Sequence, residues 1–318
     1  MQLLWLSSGA FLGWSLGAND ASNIFGTAVA TRAVKFITAA SLMSIFLIAG
    51  ALIEGSSGLE TIRNLSTQNL RGAFIITFAA ACTTTLMTVV RMPVSTSQAV
   101  VGAILGSGFA AGSPSFRGLG KVVLCWIGTP IGALLLAVIA YTVLGAIFNR
   151  FGSNILRINA LVKAGLIFAG CYGSYALGAN NVANATGVFV GLELSGVTIT
   201  PVIAALIGSV GMGIGVFTYS RRVMMTVGKG LVPLESFSAL VGIVAQAATV
   251  HLYAMVGVPV SASQAIVGAV MGIGLVKGIK SIDTRMLMRI VTAWLCTPVI
   301  AAIFAFGLYY FMLPFKAQ

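Results

Sequence analysis

Apolar residues fill long charge-free runs along this chain, at 36–53, 72–90, 92–116, 122–149, 164–192, 194–220 and 290–315, and the stretch 236–276 is long enough for two more. As a helix, a run of this kind can cross about 30 Å of hydrocarbon with about twenty residues. A first run, from Leu3 to Thr31, is interrupted only by Asp20. The polar clusters come in pairs. GANDASNIFG at 17–26 returns as GANNVANATG at 178–187, MPVSTSQAVVGA at 92–103 as VPVSASQAIVGA at 258–269, and WIGTP at 126–130 as WLCTP at 294–298. The offsets of 161, 166 and 168 residues keep the three matches in order. This predicts a tandem duplication, with a first half at 1–155 and a second at 156–318, together making one transmembrane domain.

Composition excludes a soluble globular domain. Hydrophobic residues make up 58% and charged residues 8%, with a mean hydropathy of +1.03, whereas soluble domains carry about 25% charge. The expected class is an all-α, multi-pass integral membrane protein of the cell membrane, plasma or inner. A cleavable signal peptide is not expected, because no basic region precedes the first apolar run. The formal charge of +12 comes from residues set singly in short loops, which points to membrane orientation and away from a nucleic-acid partner. Cys82, Cys125, Cys171 and Cys296 fall in four separate runs and read as small packing residues.

Counting five crossings per half puts Arg32, Lys35, Arg91, Arg150, Arg157, Lys163, Arg221, Arg222, Lys229, Lys277, Lys280, Arg285 and Arg289 on one side, against Arg63, Arg71, Arg117, Lys121 and Lys316 on the other. Re-entrant motif segments would even the two sides, so the positive-inside rule favours crossings. An odd number of crossings inverts the second half relative to the first and sends both Met1 and Gln318 outward. Inverted repeats bring both copies of a motif near the bilayer midplane, where transporters break helices to build one site from two halves. Glycines 17, 26, 178 and 187 bracket the first motif and are where helix unwinding is expected. The competing reading is that small residues there simply let helices pack closely.

Asp20 is the one acidic residue deep in a predicted span, and a lone intramembrane carboxylate is by default functional. Its expected partner is a cation, Na⁺ or a proton; the alternative is a structural pair with Arg32. Asn19, Asn23, Asn180, Asn181 and Asn184 add the carbonyl oxygens that hard cations take. In the second motif, proline precedes Ser95, Thr96, Ser97 and Gln98, and again Ser261, Ser263 and Gln264. Proline suits the first helical turn, and hydroxyls beside free N–H groups at a helix start make an anion cradle. Ordinary capping by serine is the plainer alternative.

These residues resemble a known family. GANDASNIFGTAV and GANNVANATG are similar to the duplicated GANDxANxxG signature of the inorganic phosphate transporter (PiT) family, and PVSTSQAVVG and PVSASQAIVG to its PVSTTHAIVG elements. The resemblance spans both halves. It implies secondary transport of inorganic phosphate coupled to Na⁺ or H⁺, an inverted-repeat fold, a homodimer and no cofactor beyond the coupling ion. Asn181 departs from the second signature aspartate, and Gln98 and Gln264 replace the usual histidine. Sulfate or another tetrahedral oxyanion is the alternative cargo. A channel would lack a coupling ion, and a membrane enzyme would need an acid/base pair or metal cluster that the core does not offer. His251, the single histidine, is read as hydrogen-bonded and structural, or as a proton relay.

Overall fold

A computed structural model describes residues 3–65, 69–90, 94–116, 118–150, 155–230, 235–278 and 284–313. Met1, Pro93 and Gln318, together with Arg91, Arg117, Lys280 and Lys316, lie outside the described residues. Among the described residues twelve α-helices follow one another, a run of six before residue 155 and a run of six from it onward. The first run is α1 (Leu3–Ala30), α2 (Phe36–Glu54), α3 (Ser56–Leu65), α4 (Leu70–Val89), α5 (Thr96–Ala110) and α6 (Leu119–Arg150). The second is α7 (Ile155–Thr186), α8 (Pro201–Thr218), α9 (Ser220–Gly230), α10 (Ser236–Met255), α11 (Ala262–Lys277) and α12 (Thr284–Phe311). Among the described residues seven helices are long and apolar enough to cross a membrane: α2, α4, α6, α7, α8, α10 and α12. The chain is therefore an all-α, multi-pass membrane protein. A two-stranded antiparallel hairpin, Glu193–Leu194 with Val197–Thr198, is the only sheet among the described residues.

Side-chain pairings give the direction of each helix. Ser8 meets Thr77, Ser15 meets Thr84 and Asn19 meets Thr88, always 69 residues apart, so α1 and α4 run parallel. Between α1 and α7 the order reverses: Gly9 lies by Thr186, Asp20 meets Asn181 and Phe25 packs on Gly170. Those two helices are antiparallel. Gly102 packs on Pro298 and Gly106 on Ala302, making α5 parallel to α12, as Gly268 on Pro130 and Gly272 on Leu134 make α11 parallel to α6. Arg71 at the start of α4 donates to the Tyr309 carbonyl near the end of α12, while Met87 packs with Ala293. This sets α4 against α12, hence against α5. By the same logic α10, whose Thr249 and Phe237 face Gly132 and Gly145, opposes α6 and α11. The pairs α4–α5 and α10–α11 are thus helical hairpins, whose tips lie where Val89 gives way to Thr96 in the first and Met255 to Ala262 in the second.

At 15 and 16 residues, α5 and α11 span about 22–24 Å, less than the hydrocarbon core. Their first turns are buried in protein, which is where interrupted backbone at membrane depth is tolerated.

The glycines of the first motif do not unwind their helices. α1 runs unbroken through Gly17 and Gly26, and α7 through Gly178, ending only at Gly187, which opens a short 3₁₀ turn. The reason is contact: a Cβ at Gly17 would collide with the Met212 carbonyl of α8, and one at Gly178 with the Leu47 carbonyl of α2. Here close helix approach, driven by van der Waals packing, is the use made of a small residue. The interruptions sit instead at the second motif.

The third repeated element has the same kind of role. Pro130 and Pro298 lie inside α6 and α12, and Gly268 and Gly102 press against them. Gly268→Ala forces a methyl onto the Pro130 carbonyl and is expected to cost roughly 1–3 kcal/mol by overpacking. Gly307→Ala, where nothing lies within 4 Å of the added carbon, is expected to leave the protein's Tm in detergent unchanged. Equal Tm values for both variants would contradict this packing.

Candidate functional site

All thirteen candidate site residues are described, and all but the half-buried Asn23 are buried. Each asparagine has a distinct task. Asn180 accepts the Val260 N–H at 2.8 Å and donates to the carbonyls of Val258 at 3.2 Å and Val250 at 3.4 Å. It therefore holds the second hairpin tip in shape. Asn19, its counterpart, donates to Thr88 Oγ1 at 2.7 Å, at the end of the first hairpin's outer leg. Between them Asn181 Nδ2 donates to Asp20 Oδ2 at 3.2 Å, Asn23 reaches Asp20 Oδ1 at 3.5 Å, and Asn184 donates to Asn181 Oδ1 at 3.2 Å. Asp20 and Asn181 occupy matching positions of the two copies of the first motif, and they are in direct contact. Asp20 forms no ion pair among the described residues, so the pairing with Arg32 is not made.

The two serine elements meet. Ser263 Oγ donates to the Val94 carbonyl at 2.8 Å, joining the start of α11 to the residue ahead of α5. Ser95 and Ser261 are N-caps, accepting from the N–H of Gln98 at 3.4 Å and of Gln264 at 3.3 Å. Their oxygens thus do the ordinary capping work and also contact Ser97 at 3.3 Å and Ser263 at 2.8 Å. The first N–H groups of a helix have no partner within it, and the helix dipole leaves that end positive. Two such ends converge on the line of side chains that runs from Thr88 through Asp20 and Asn181 to Asn180.

Five buried side-chain oxygens around the tips have no hydrogen-bond partner in the protein: Thr96 Oγ1, Gln98 Oε1, Gln264 Oε1, Asn184 Oδ1 and Gln246 Oε1. A buried acceptor left unpaired costs about 1–3 kcal/mol, so unpaired oxygens on α5, α7, α10 and α11, the helices that carry the tips and the asparagines, suit a ligand that takes oxygen donors. Gln246 was not visible as a site residue in the sequence. It sits in α10 and contacts the Ala262 carbonyl at 3.5 Å, and the first half has Ala80 at the matching position. Thr88 was missed as well, although the run TTTLMT at 83–88 is unusually hydroxyl-rich for a membrane span.

His251 has an acidic residue beside it. Its Nε2 lies 2.7 Å from Glu54 Oε2. Glu54 is the last residue of α2, and the packing of α2 on α7 brings it to α10.

An all-helical membrane protein with two hairpin tips and a polar seam meeting in its buried centre has the build of a solute carrier. The profile of the phosphate transporter family matches residues 16–305, and the chain belongs to that family. It is similar to two proteins named "Putative phosphate permease". The one from Methanocaldococcus jannaschii is 30% identical over 296 residues, covering 93% of each chain. The one from Thermococcus kodakarensis is 28% identical, covering 96% of each. Among solved structures the fold is like that of a protein named "The sodium-dependent phosphate transporter", with a TM-score of 0.88, 23% identity and 99% of both chains covered.

Proposed function

We propose that this protein is a secondary active transporter that carries inorganic phosphate together with Na⁺ or H⁺, the anion between the starts of α5 and α11 and the cation beside Asp20. The observation that carries this reading is the Ser263–Val94 contact of 2.8 Å, which brings two positive helix ends together next to the one deep carboxylate. Hydroxyls and free N–H groups donate to a tetrahedral oxyanion without a buried arginine. The carboxylate and unpaired amide oxygens suit a hard cation, and the sodium dependence in the name of the structural neighbour favours Na⁺. A protonated phosphate can also donate to Asp20, which sulfate cannot. Competition of sulfate, arsenate and molybdate against labelled phosphate in proteoliposomes tests the cargo: sulfate displacing phosphate at equal concentration would overturn it.

We further read α1–α6 and α7–α12 as inverted repeats of about five membrane segments each, split near residue 155. The support is that each long helix of the second run points opposite to its counterpart. The ends carrying Lys35, Arg150, Lys163 and Lys277 then form the basic side and face the cytoplasm of the cell membrane. Tags at either terminus are expected to be cut by external protease in intact cells; full protection of both would contradict this orientation. The homodimer implied by the resemblance belongs to the same proposal, and light scattering in detergent tests it.

Asn181→Asp sets a second carboxylate against Asp20, where the amide now donates at 3.2 Å. Two carboxylates that close do not both stay charged without a cation or proton between them. The variant is expected to show a lower half-saturating cation concentration or a higher Hill coefficient for uptake. Unchanged cation affinity and cooperativity in a folded, active variant would remove position 181 from the cation site.

A further inference from the structure

A second ionisable cluster lies outside the seam, where α2, α7 and α10 meet. Glu54 receives the Tyr175 hydroxyl on Oε1 at 2.8 Å and His251 Nε2 on Oε2 at 2.7 Å. The other ring nitrogen of His251 meets the Tyr172 hydroxyl at 2.9 Å, and both tyrosine rings stand edge-on to the imidazole. The pair is only partly exposed, with side-chain accessibilities of 20% for His251 and 37% for Glu54. Both nitrogens are therefore engaged whether the ring is neutral or charged, and only the charged ring adds Coulomb attraction to the carboxylate.

The cluster sits beside the tip of the second hairpin. His251 is one turn from the end of α10 at Met255. Just past Glu54, Ser57 and Thr61 of α3 donate to the carbonyls of Ala254 and Gly257 at 3.2 and 2.5 Å. The Val250 carbonyl beside His251 accepts from Asn180. The same few residues thus tie the tip to α3 on one side and to the central seam on the other. The other charges on the elements around the pair are Glu60 and Arg63 of α3, Arg157 and Lys163 in the first third of α7, Lys121 and Arg150 near the ends of α6, Lys277 at the end of α11 and Asp20 of α1. The Coulomb partner of Glu54 is His251.

The first half has the same contact without the charge. Trp14, the counterpart of Tyr175, donates to Thr218 at 2.9 Å, and Thr218 ends α8 as Glu54 ends α2. Thr85 stands where the second half has His251, and Phe11 where it has Tyr172. Among the described residues, only the second hairpin carries an ionisable fastening of this kind.

We propose that Glu54, His251, Tyr172 and Tyr175 form a proton-binding site that fastens the second hairpin tip in the conformation seen here. Protonation of His251 completes an ion pair with Glu54 and holds the tip. Loss of that proton leaves hydrogen bonds alone and frees the tip to move. Transport turnover therefore rises as pH rises through this titration, a coupling that rests on the transport function proposed above, whereas the proton site itself does not.

Because the chain holds a single histidine, the site can be read without transport. In protein labelled with ¹⁵N-histidine and reconstituted in nanodiscs, one imidazole is expected to titrate. In Glu54→Gln it is expected to need about tenfold more protons, as a ring that has lost a carboxylate neighbour does. Tyr172→Phe provides a milder variant should Glu54→Gln fold poorly, with an altered Nδ1 environment as its signature. Titration unchanged in both variants overturns the proton site. Phosphate uptake across pH 5.5–8, taken as the ratio of wild type to His251→Gln so that the titration of phosphate cancels, is expected to climb with pH. A flat ratio with both proteins active overturns the coupling to transport. If neither protein takes up phosphate at any pH, the transport reading fails, and the NMR titration still decides the proton site.

Discussion

Asp20→Asn is expected to lower cation-driven phosphate uptake by about 100-fold while leaving the protein inserted and folded. Asp20 is the acidic group of the central seam, and its Oδ2 is held by Asn181 at 3.2 Å. Asparagine keeps the shape but cannot offset the charge of a bound cation, and a lost charge-assisted interaction is worth about 1.5–3 kcal/mol. Because transport needs anion and cation together, the loss is expected in the maximal rate as well as in cation affinity. The variant's Tm should stay near that of the wild type, since the carboxylate makes no ion pair among the described residues. Purified Asp20→Asn with wild-type cation dependence would show that the cation binds elsewhere.

The second large effect is expected at the hairpin tips. Ser97→Ala and Ser263→Ala each remove a hydroxyl from a helix start, and each is expected to raise the KM for phosphate about tenfold, the low end of the roughly 1.5–3 kcal/mol of a hydrogen bond to a charged group. The half-saturating cation concentration should change far less. Ser95→Ala and Ser261→Ala combine this with loss of a cap, which itself costs about 1 kcal/mol of stability. They are expected to lower Tm too, which separates them from Ser97→Ala. Ser263→Ala also gives up the bond to the Val94 carbonyl, so the double variant Ser97→Ala/Ser263→Ala should exceed the sum of the single effects. An increase in cation requirement with phosphate KM unchanged would assign these hydroxyls to the cation instead.

Much of this arrangement is written in the order of residues, and some is not. The repeat offsets of 161 and 166 are the basis for proposing two repeats, and the run expected at Leu3–Thr31 folds as one helix, α1, Leu3–Ala30. α3 and α9 were absorbed into loops because short helices with charges, such as SSGLETIRNL, do not register as apolar runs. The glycines show the limit most clearly. A glycine that lets a helix unwind and one that lets a neighbour approach look alike in one dimension, and only the identity of the partner, Met212 for Gly17 and Leu47 for Gly178, separates them. Asn180 and Asp20 were both picked out by type and spacing. That Asn180 binds backbone at 258 and 260 depends on where the chain turns after α10. The Glu54–His251 contact joins residues 197 apart, one at the end of a span and one within another, and nothing local in either segment announces it.

The coupling of anion to cation is the centre of the account, and gradient-driven uptake by purified protein in liposomes tests it most directly. With labelled phosphate equal on both sides, an inward Na⁺ or proton gradient is predicted to drive accumulation above equilibrium, which an ionophore for that cation abolishes and which Asp20→Asn does not support. Phosphate that merely equilibrates, at a rate indifferent to either gradient, would contradict the account.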